Sequence, residues 1–519
     1  MRRIGRVARR LALFGAVALA AIFAARFAFP LPALDGRPAS AALTPSEATG
    51  LGAALVPQAA AHPGLSGVMP LRRGPDAFAA RVGLARTAEA AIDAQYYIWQ
   101  RDAAGLLLLD ELRRAAGRGV RVRLLIDDVG TEGLDAELAA FDALDHAEVR
   151  LFNPFPFRTA RGAAYLFDPA RLNRRMHNKS FTVDGIVTVL GGRNVGDIYF
   201  ARGSEGHYSD FDVLAVGPAA AQVSAEFDAY WDSASAYPAG PLLGPAEPGV
   251  LDRAAAEAAA LPRAESYGEA VAEATFAADL LSGTAALDWA PAAVVSDDPL
   301  KGLGLADSEG LMIARLAEIL AEPEARVELI AAYFIPGRRG AELIEGLARR
   351  GIRVRILTNS LEATDVLPVH SGYAEYRDAL LAAGVELYEL KSATLPREES
   401  DHFGVLAAAT SSLHAKALTV DGRRAFVGSF NFDPRSFFLN TEMGILVDSP
   451  ALAAEFDGIF AERVRLNAYR VVAGEDGRPR WIETLPEGGE VVHDTEPGTS
   501  WAQRLAVRVL GWLPIDWML

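Results

Sequence analysis

The sequence predicts an α/β protein of two similar lobes. Each lobe is a βαβ-type sandwich around a mainly parallel or mixed sheet, and a pseudo-twofold axis relates the lobes, with a single site at their interface. The first observation is an internal repeat: Ala94-Gln95-Tyr96-Tyr97-Ile98 matches Ala331-Ala332-Tyr333-Phe334-Ile335, and Gly119 to Leu125 (GVRVRLL) matches Gly351 to Leu357 (GIRVRIL). The second is that apolar residues recur at helical spacing between these blocks, in Leu106 to Ala116 and Leu343 to Arg350. Strand, helix, strand is a βαβ unit, and near-continuous apolar strands fit a sheet covered on both faces. The third is a second repeated block, Met176-His177-Asn178-Lys179 through Asp184-Gly185 and again Leu413-His414-Ala415-Lys416 through Asp421-Gly422. His414 lies 237 positions after His177, and Tyr333 lies 237 after Tyr96, so the repeat is expected to hold register across most of each half.

Taken in order, residues 1–34 read as a membrane anchor or a signal. Arg2, Arg3, Arg6, Arg9 and Arg10 precede an uncharged run from Leu11 to Ala25, and Phe27 to Leu34 is apolar again. A retained anchor and a cleaved leader both fit this length. The leading arginines predict a cytoplasmic N-terminus, with the rest facing outward. Residues 35–75, rich in Pro and Ala, read as a linker. The first lobe is expected at 76–240, a connecting helix and loop at 241–310, the second lobe at 311–470 and a tail at 471–519. In the tail, Trp501, Leu505, Val509 and Trp512 share one helical face flanked by Arg504 and Arg508, which fits docking on the second lobe or a membrane interface.

Composition excludes several classes. Half the residues are apolar, enough for sizeable cores, while a net charge of −16 argues against a general nucleic-acid binder. With no cysteine in 519 residues, disulfides, thiolate metal sites and cysteine nucleophiles are ruled out.

The repeated block carries chemistry. In a strand, residues i and i+2 face the same way, so His177 projects with Lys179 and His414 with Lys416. Asp184-Gly185 and Asp421-Gly422 mark hairpin turns. The next strand delivers Gly191-Gly192 and Gly428-Ser429, small enough for backbone to approach an anion, then Asn194 and Asn431 as amide donors. Two such blocks around one axis place two imidazoles, two ammonium groups and two amides in one pocket, a set that suits a phosphodiester. Lysines and asparagines stabilise charge on the phosphoryl oxygens; one histidine attacks phosphorus and the other protonates the leaving oxygen. The lysines supply the positive charge, so no metal or other cofactor is expected. Each imidazole needs a partner for its second nitrogen. Glu442 and Asp210, each at the start of an apolar strand, are the candidates, with Asp212 as the alternative to Asp210. Asp184 and Asp421 complete the candidate set, although their place before glycine favours a turn role.

These paired blocks resemble the HKD motifs of the phospholipase D superfamily, and among its branches the bacterial cardiolipin synthases. The likeness runs from about Asp76 to the C-terminus and includes Gly191 to Asp197, Leu357 to Ser360, Thr364 to Val366, and Asn431 to Ser436 with Leu439 to Glu442. The resemblance implies a phosphatidyl-histidine intermediate, phosphatidylglycerol as donor or acceptor, and a second phospholipid, phosphatidylglycerol or phosphatidylethanolamine, as its partner. It further implies His177 as nucleophile and His414 as acid. A phospholipase D hydrolase, a nucleic-acid phosphodiesterase and a non-catalytic membrane scaffold are the rival readings. Outside the motifs, Tyr96, Tyr97 and Tyr333 read as core or pocket wall, Asp127-Asp128 as loop and cap residues, and His207 and His370 as solvated loop positions. Arg171, Arg174 and Arg175 read as a solvated charge run or an attractor of anionic headgroups.

Overall fold

The computed structural model describes residues 27–200, 208–321, 323–392 and 412–512, with scattered positions between 13 and 24. His207 and most of the Leu11–Ala25 run lie outside the described residues, and no described helix is long and apolar enough to cross a membrane.

The first half contributes β1 (Ser66–Leu71), β2 (Ala91–Ile98), β3 (Arg121–Gly130), β4 (Ala147–Phe152), β5 (Ser180–Val183), β6 (Val187–Gly191), β7 (Tyr208–Ser209), β8 (Asp212–Val216) and β9 (Ala236–Pro238). The chain continues with β10 (Asp288–Ala290), β11 (Ala292–Ser296), β12 (Arg326–Ala331), β13 (Arg353–Asn359), β14 (Glu386–Leu390), β15 (Ser412–Leu413) and β16 (Lys416–Val420). Last come β17 (Arg424–Gly428), β18 (Met443–Val447), β19 (Ala468–Ala473), β20 (Pro479–Thr484) and β21 (Glu490–His493). One sheet runs β10-β1-β8-β6-β5-β2-β3-β4-β9 and the other β11-β18-β17-β16-β12-β13-β14-β19-β20-β21. The shared order, β8-β6-β5-β2-β3-β4-β9 against β18-β17-β16-β12-β13-β14-β19, is the repeat in three dimensions.

The sheets are mixed, not largely parallel. Only β2–β3, β3–β4, β12–β13 and β13–β14 are parallel among their neighbours. The βαβ crossovers make these. Helices Ala103–Gly117 and Gly337–Arg349 end at Gly119 (φ 93°) and Gly351 (φ 85°), whose left-handed backbone turns the chain into β3 and β13. Hairpins make the antiparallel pairs β5–β6, β16–β17, β19–β20 and β20–β21, while the other antiparallel pairs join strands separated by longer connections.

Hydrogen-bond register corrects one part of the repeat. Val183 of β5 and Val420 of β16 correspond at an offset of 237, but their partners, Ile92 and Val327, correspond at 235. Tyr333 therefore occupies the place of Ile98, not of Tyr96: Val195 N donates to Ile98 O and Phe432 N to Tyr333 O, both at 3.1 Å. A slip of two is the strand period, so faces are preserved and the sequence pattern conceals it. Tyr96 is a core residue whose hydroxyl accepts from Arg81 Nε at 2.7 Å.

One core joins the first sheet to its outer helices and another does the same for the second sheet. A third lies between the lobes, where Phe211, Val213 and Ala215 meet Ile445, Val447 and Phe456, with the Phe211 and Phe456 rings 4.8 Å apart. Helices Pro218–Trp231 and Pro450–Gly458 join this middle core through Ala219, Val223, Leu452 and Phe456, so helices flank the sheets inside as well as outside. Three segments read as connectors take part in this packing. Within 35–75, helix Gly50–Ala61 buries Leu51 and Leu55, and β1 covers the edge of β8. Within 241–310, helices Val250–Ala260, Ala264–Glu273 and Phe276–Ser282 bury Ala254, Ala258, Tyr267 and Leu280 in the first core. Within 471–519, β20 and β21 extend the second sheet. Alanine-rich helices bury small side chains, so their apolar periodicity is faint in sequence.

Asp184 and Asp421 both have φ 54° and are followed by glycines at 70° and 63°, the left-handed pair that a tight hairpin turn requires. Their carboxylates clamp a neighbouring strand. Asp184 accepts from the N–H groups of Glu89, Ala90 and Ala91 at 3.2, 2.9 and 2.9 Å; Asp421 accepts from Glu324, Ala325 and Arg326 at 3.0, 2.8 and 2.8 Å. Asp184→Ala strands three backbone donors beside a buried turn and is expected to cost roughly 2 kcal/mol of stability. Asp421→Ala, in a more exposed setting, is expected to cost less. Urea denaturation of the two variants checks both the size and the order.

Candidate active site

Each histidine is seated by the backbone of the opposite lobe. His177 N donates to Thr441 O at 2.8 Å, and Thr441 N returns a bond to Arg175 O at 2.9 Å. In the mirror arrangement, β15 pairs in parallel with β7, and the N–H groups of His414 and Ala415 donate to Ser209 O at 2.8 and 2.9 Å. Upstream of His177, Asp127 at the end of β3 fixes the approach. Its carboxylate takes Arg175 Nε at 2.9 Å and Met176 N at 2.7 Å. Asp127 is thus an anchor for the segment leading into the histidine, and Arg175 is a buried ion-pair partner, not an exposed attractor of anions. Asp128 pairs with Arg158, and Arg171 with Asp168.

The side chains repeat the crossing. His177 Nδ1 lies 2.8 Å from Glu442 Oε2, and His414 Nδ1 lies 2.6 Å from Asp210 Oδ2. Each imidazole is therefore oriented by a carboxylate from the other half, which leaves Nε2 available for chemistry. Asp212 is excluded as a partner: it is buried against Arg81 at 3.0 Å and accepts from Arg193 N at 3.1 Å. The two carboxylates differ in length and their surroundings match. Behind the shorter Asp210 sits Gly192, where an added Cβ would come within 2.1 Å of Oδ1. At the corresponding position Ser429 donates its hydroxyl to Glu442 at 2.5 Å, and Ser436 adds a second bond at 2.8 Å. Lys179 and Lys416 are buried, and each donates to the carbonyl of its own histidine.

Asp184 and Asp421 stand apart, at the turns described above. Asn194 is engaged within its lobe, accepting from Ile98 N at 3.1 Å and donating to Tyr199 OH at 3.0 Å. Asn431 is buried, and its Oδ1 has no partner among the described residues. His370 is buried, not solvated, with Nε2 2.9 Å from Glu496 Oε1.

Residues outside the motifs also reach the cluster. Tyr97 meets His177 edge-on at 4.8 Å, while Tyr208 stacks on His414 at 4.9 Å. The hydroxyls of Tyr208 and Tyr333 both donate to Asp365 Oδ2 at 2.9 Å. The Tyr-Tyr pair and the Thr-Asp-Val segment were visible in sequence, but no spacing rule ties Tyr208 to His414, or Ser436 through the carboxylate of Glu442 to His177, each histidine more than two hundred positions away.

Burial, then the ammonium groups of Lys179 and Lys416, hold His177 well below the ordinary imidazole range. Burial and Lys416 bring His414 to about 4, against the pull of Asp210. Burial lowers Lys179 strongly, and lowers Lys416 to about 8 with Asp210 and Glu442 opposing. The carboxylates split. Burial raises Glu442 to about 7, whereas at Asp210 burial is overcome by His414, Lys416 and Arg193, which keep it below the usual carboxylate range.

The family described as "Cardiolipin synthase, PLD-like domain" matches residues 84–231 and 316–464, one match per lobe. Cardiolipin synthase C of Escherichia coli (strain K12) is 44% identical over 474 residues, covering 90% of this chain and 99% of that protein. A cardiolipin synthase of Staphylococcus aureus (strain Mu50) is 25% identical over 406 residues, covering 77% and 67%. The crystal structure of phosphatidylserine synthase from Haemophilus influenzae Rd KW20 shares the fold with a TM-score of 0.53 at 15% identity, covering 89% of this chain and 99% of that one. The chain belongs to the cardiolipin synthase family of phospholipase D-like proteins.

Two predictions follow from the geometry. Asp210→Asn and Glu442→Gln each keep shape but remove the charge that orients an imidazole from across the interface. Each is expected to lower kcat by about 10²–10⁴-fold with little change in melting temperature, in line with the usual worth of a positioned acid or base. Steady-state kinetics beside a thermal melt separates this from misfolding. The second concerns pH. Only the charged form of Lys416 could stabilise a phosphoryl group, and that form is lost as pH rises through about 8. The kcat/KM profile is therefore expected to fall on its alkaline side near that value. Lys416→Arg, which stays charged, should move the limb upward. An unmoved limb assigns it to another group.

Proposed function

We propose that this chain is a membrane phospholipid phosphatidyltransferase that makes cardiolipin from phosphatidylglycerol and a second phospholipid, either phosphatidylglycerol or phosphatidylethanolamine. The observation that carries this reading is the crossed pair of imidazoles, each held by a carboxylate of the other lobe and flanked by a buried lysine. The 44% identity to a cardiolipin synthase along nearly its whole length supports the choice of substrate class.

In this reading Nε2 of His177 attacks phosphorus and forms the P–N bond of a phosphatidyl-histidine. The P–O bond to the headgroup alcohol breaks, and His414 gives that oxygen its proton. A hydroxyl on the glycerol headgroup of phosphatidylglycerol then attacks phosphorus, His414 takes back a proton and His177 is released. Glycerol leaves when the donor is phosphatidylglycerol, and ethanolamine when it is phosphatidylethanolamine. The division of labour follows the carboxylates. An imidazolium is best supported beside the firmly ionised Asp210, which favours His414 as acid. Glu442, raised by burial, asks less charge of His177 and favours it as nucleophile. Lys179, Lys416 and Asn431 stabilise phosphoryl charge, with Asn194 holding the end of β2. The transferring unit comprises the lobes at 76–240 and 311–470. The apolar N-terminal run anchors it in the bacterial inner membrane with the lobes outside, as the leading arginines favour.

The test is direct. Detergent-purified protein is given labelled phosphatidylglycerol, with and without phosphatidylethanolamine, and the products are resolved by mass spectrometry. Cardiolipin is the expected product, while phosphatidic acid alone would make the chain a hydrolase. His177→Ala and His414→Ala should each abolish turnover, and an acid-labile, base-stable phosphoryl adduct should map to His177. A reporter fused to the C-terminus should read as external to the cytoplasm.

A further inference from the structure

Helix Trp501–Leu510 turns its apolar face away from the protein. Trp501, Leu505, Val509 and Trp512 recur at steps of four, four and three, so they share one side. They are 72, 50, 44 and 83% exposed. Val507, on the opposite side, is buried, and its carbonyl accepts from Ser371 Oγ at 2.8 Å. The placement is held from several directions. Glu496, just upstream, is buried between His370 at 2.9 Å and Arg377 at 3.0 Å. Ser500 and Gln503 form a capping box, and Arg504 donates to Thr499 O at 2.6 Å. An amphipathic helix of a globular protein normally buries its apolar stripe. Here polar contacts fix the helix with that stripe outward.

We infer that this face docks on the surface of an anionic phospholipid bilayer, with the helix axis in the plane of the membrane. Two tryptophans bracket the stripe, the residue type favoured at the boundary between headgroups and chains. Arg508 and Arg504 line one flank, a local positive edge on a chain of net charge −16, which complements anionic lipid. A second copy of the chain is the poorer occupant, because a single ten-residue helix face falls well short of the roughly 800 Å² per partner of a stable interface. The docked position also bears on the site. The end of the helix at Gly511 lies beside Ser371 of helix Leu367–Ala382. That helix starts two residues after Asp365, which holds Tyr208, the ring stacked on His414. Contact with the bilayer would thus brace the element at the rim of the site against the source of its substrate. The choice of lipid as occupant rests on the function proposed above.

Because the chain has no cysteine, Val509→Cys introduces a unique attachment point in the full-length protein. Labelled there with a polarity-sensitive fluorophore and reconstituted into vesicles of mixed phosphatidylcholine and phosphatidylglycerol, the protein should show a blue-shifted emission. It should be quenched by acyl-chain nitroxide lipid and shielded from aqueous acrylamide, more strongly as the phosphatidylglycerol fraction rises. A label at Arg349→Cys, an exposed position at the end of helix Gly337–Arg349, should remain open to acrylamide. Equal acrylamide access at both positions overturns the inference. So does shielding without nitroxide quenching that grows with protein concentration, which means a second copy covers the face. As an independent measure, the full chain carrying Trp501→Gln, Leu505→Gln, Val509→Gln and Trp512→Gln should lose on the order of tenfold in kcat/KM on vesicles and little on detergent-dispersed substrate. Equal loss on both makes the stripe structural. Since the label reads position and not turnover, a shielded Val509 in a protein that makes no cardiolipin would break the functional reading and leave this one standing.

Discussion

The structure depends on one exchange: each lobe gives the other the carboxylate that orients its histidine. Glu442 reaches back to His177 and Asp210 forward to His414. Neither half holds a complete constellation. The rest of the interface serves this exchange. Strand β7 pairs with β15, Thr441 bridges Met176, and the core between the sheets is apolar on both sides. A buried charge pair needs close geometry to offset its desolvation, and breaking one leaves an uncompensated charge. The crossing therefore ties formation of the site to correct docking of the lobes, because a misdocked pair would bury a carboxylate and an imidazole without partners.

The halves are not equivalent, and the difference begins with one methylene. Aspartate at 210 is short, so it must sit close to β6, and only glycine at 192 leaves room. Glutamate at 442 reaches further and is held by hydroxyls from Ser429 and Ser436. The first carboxylate has His414, Lys416 and Arg193 near it and stays ionised. The second, although Lys179, Lys301 and two hydroxyls oppose it, is raised by burial. A pair of imidazoles related by near symmetry thus stands beside carboxylates of different charge, a difference that a comparison of the motifs alone does not display.

Much of this was legible in the sequence, for identifiable reasons. The Asp-Gly turns match left-handed backbone, so pattern and local structure agree there, whereas the expected strand through His-x-Lys does not form: His177 and Lys179 precede β5 at Ser180, and His414 sits between β15 and β16. Asp210 and Glu442 were recognisable as acidic residues opening apolar strands, but which histidine each serves is a tertiary fact with no trace in spacing. The two-residue slip of β2 against β12 was hidden because it preserves side-chain faces, and the aromatic residues at 96 and 333 disguised it. Asp212 and Asp210 share the same strand edge, and the choice between them fell to Arg81, which claims Asp212 from a helix more than a hundred residues upstream. His370 looked like a loop residue because the glutamate that buries it lies 126 positions away.

The places where the repeat fails are informative in their own right. A transfer through a phosphohistidine, as proposed above, needs one imidazole as nucleophile and the other as acid in the first displacement and base in the second, so both imidazole–lysine pairs have reason to persist. The lobes diverge in the rings packed on the two imidazoles. Tyr97 meets His177 edge-on, whereas Tyr208 lies flat on His414 and is held by Asp365, which also takes Tyr333. Through Arg377 and His370, the additions β20, β21 and the C-terminal helix gather on this second half. Duplication accounts for the matched imidazole–lysine pairs, and the Tyr208–Asp365–Tyr333 contact makes the surroundings of His414 unlike those of His177.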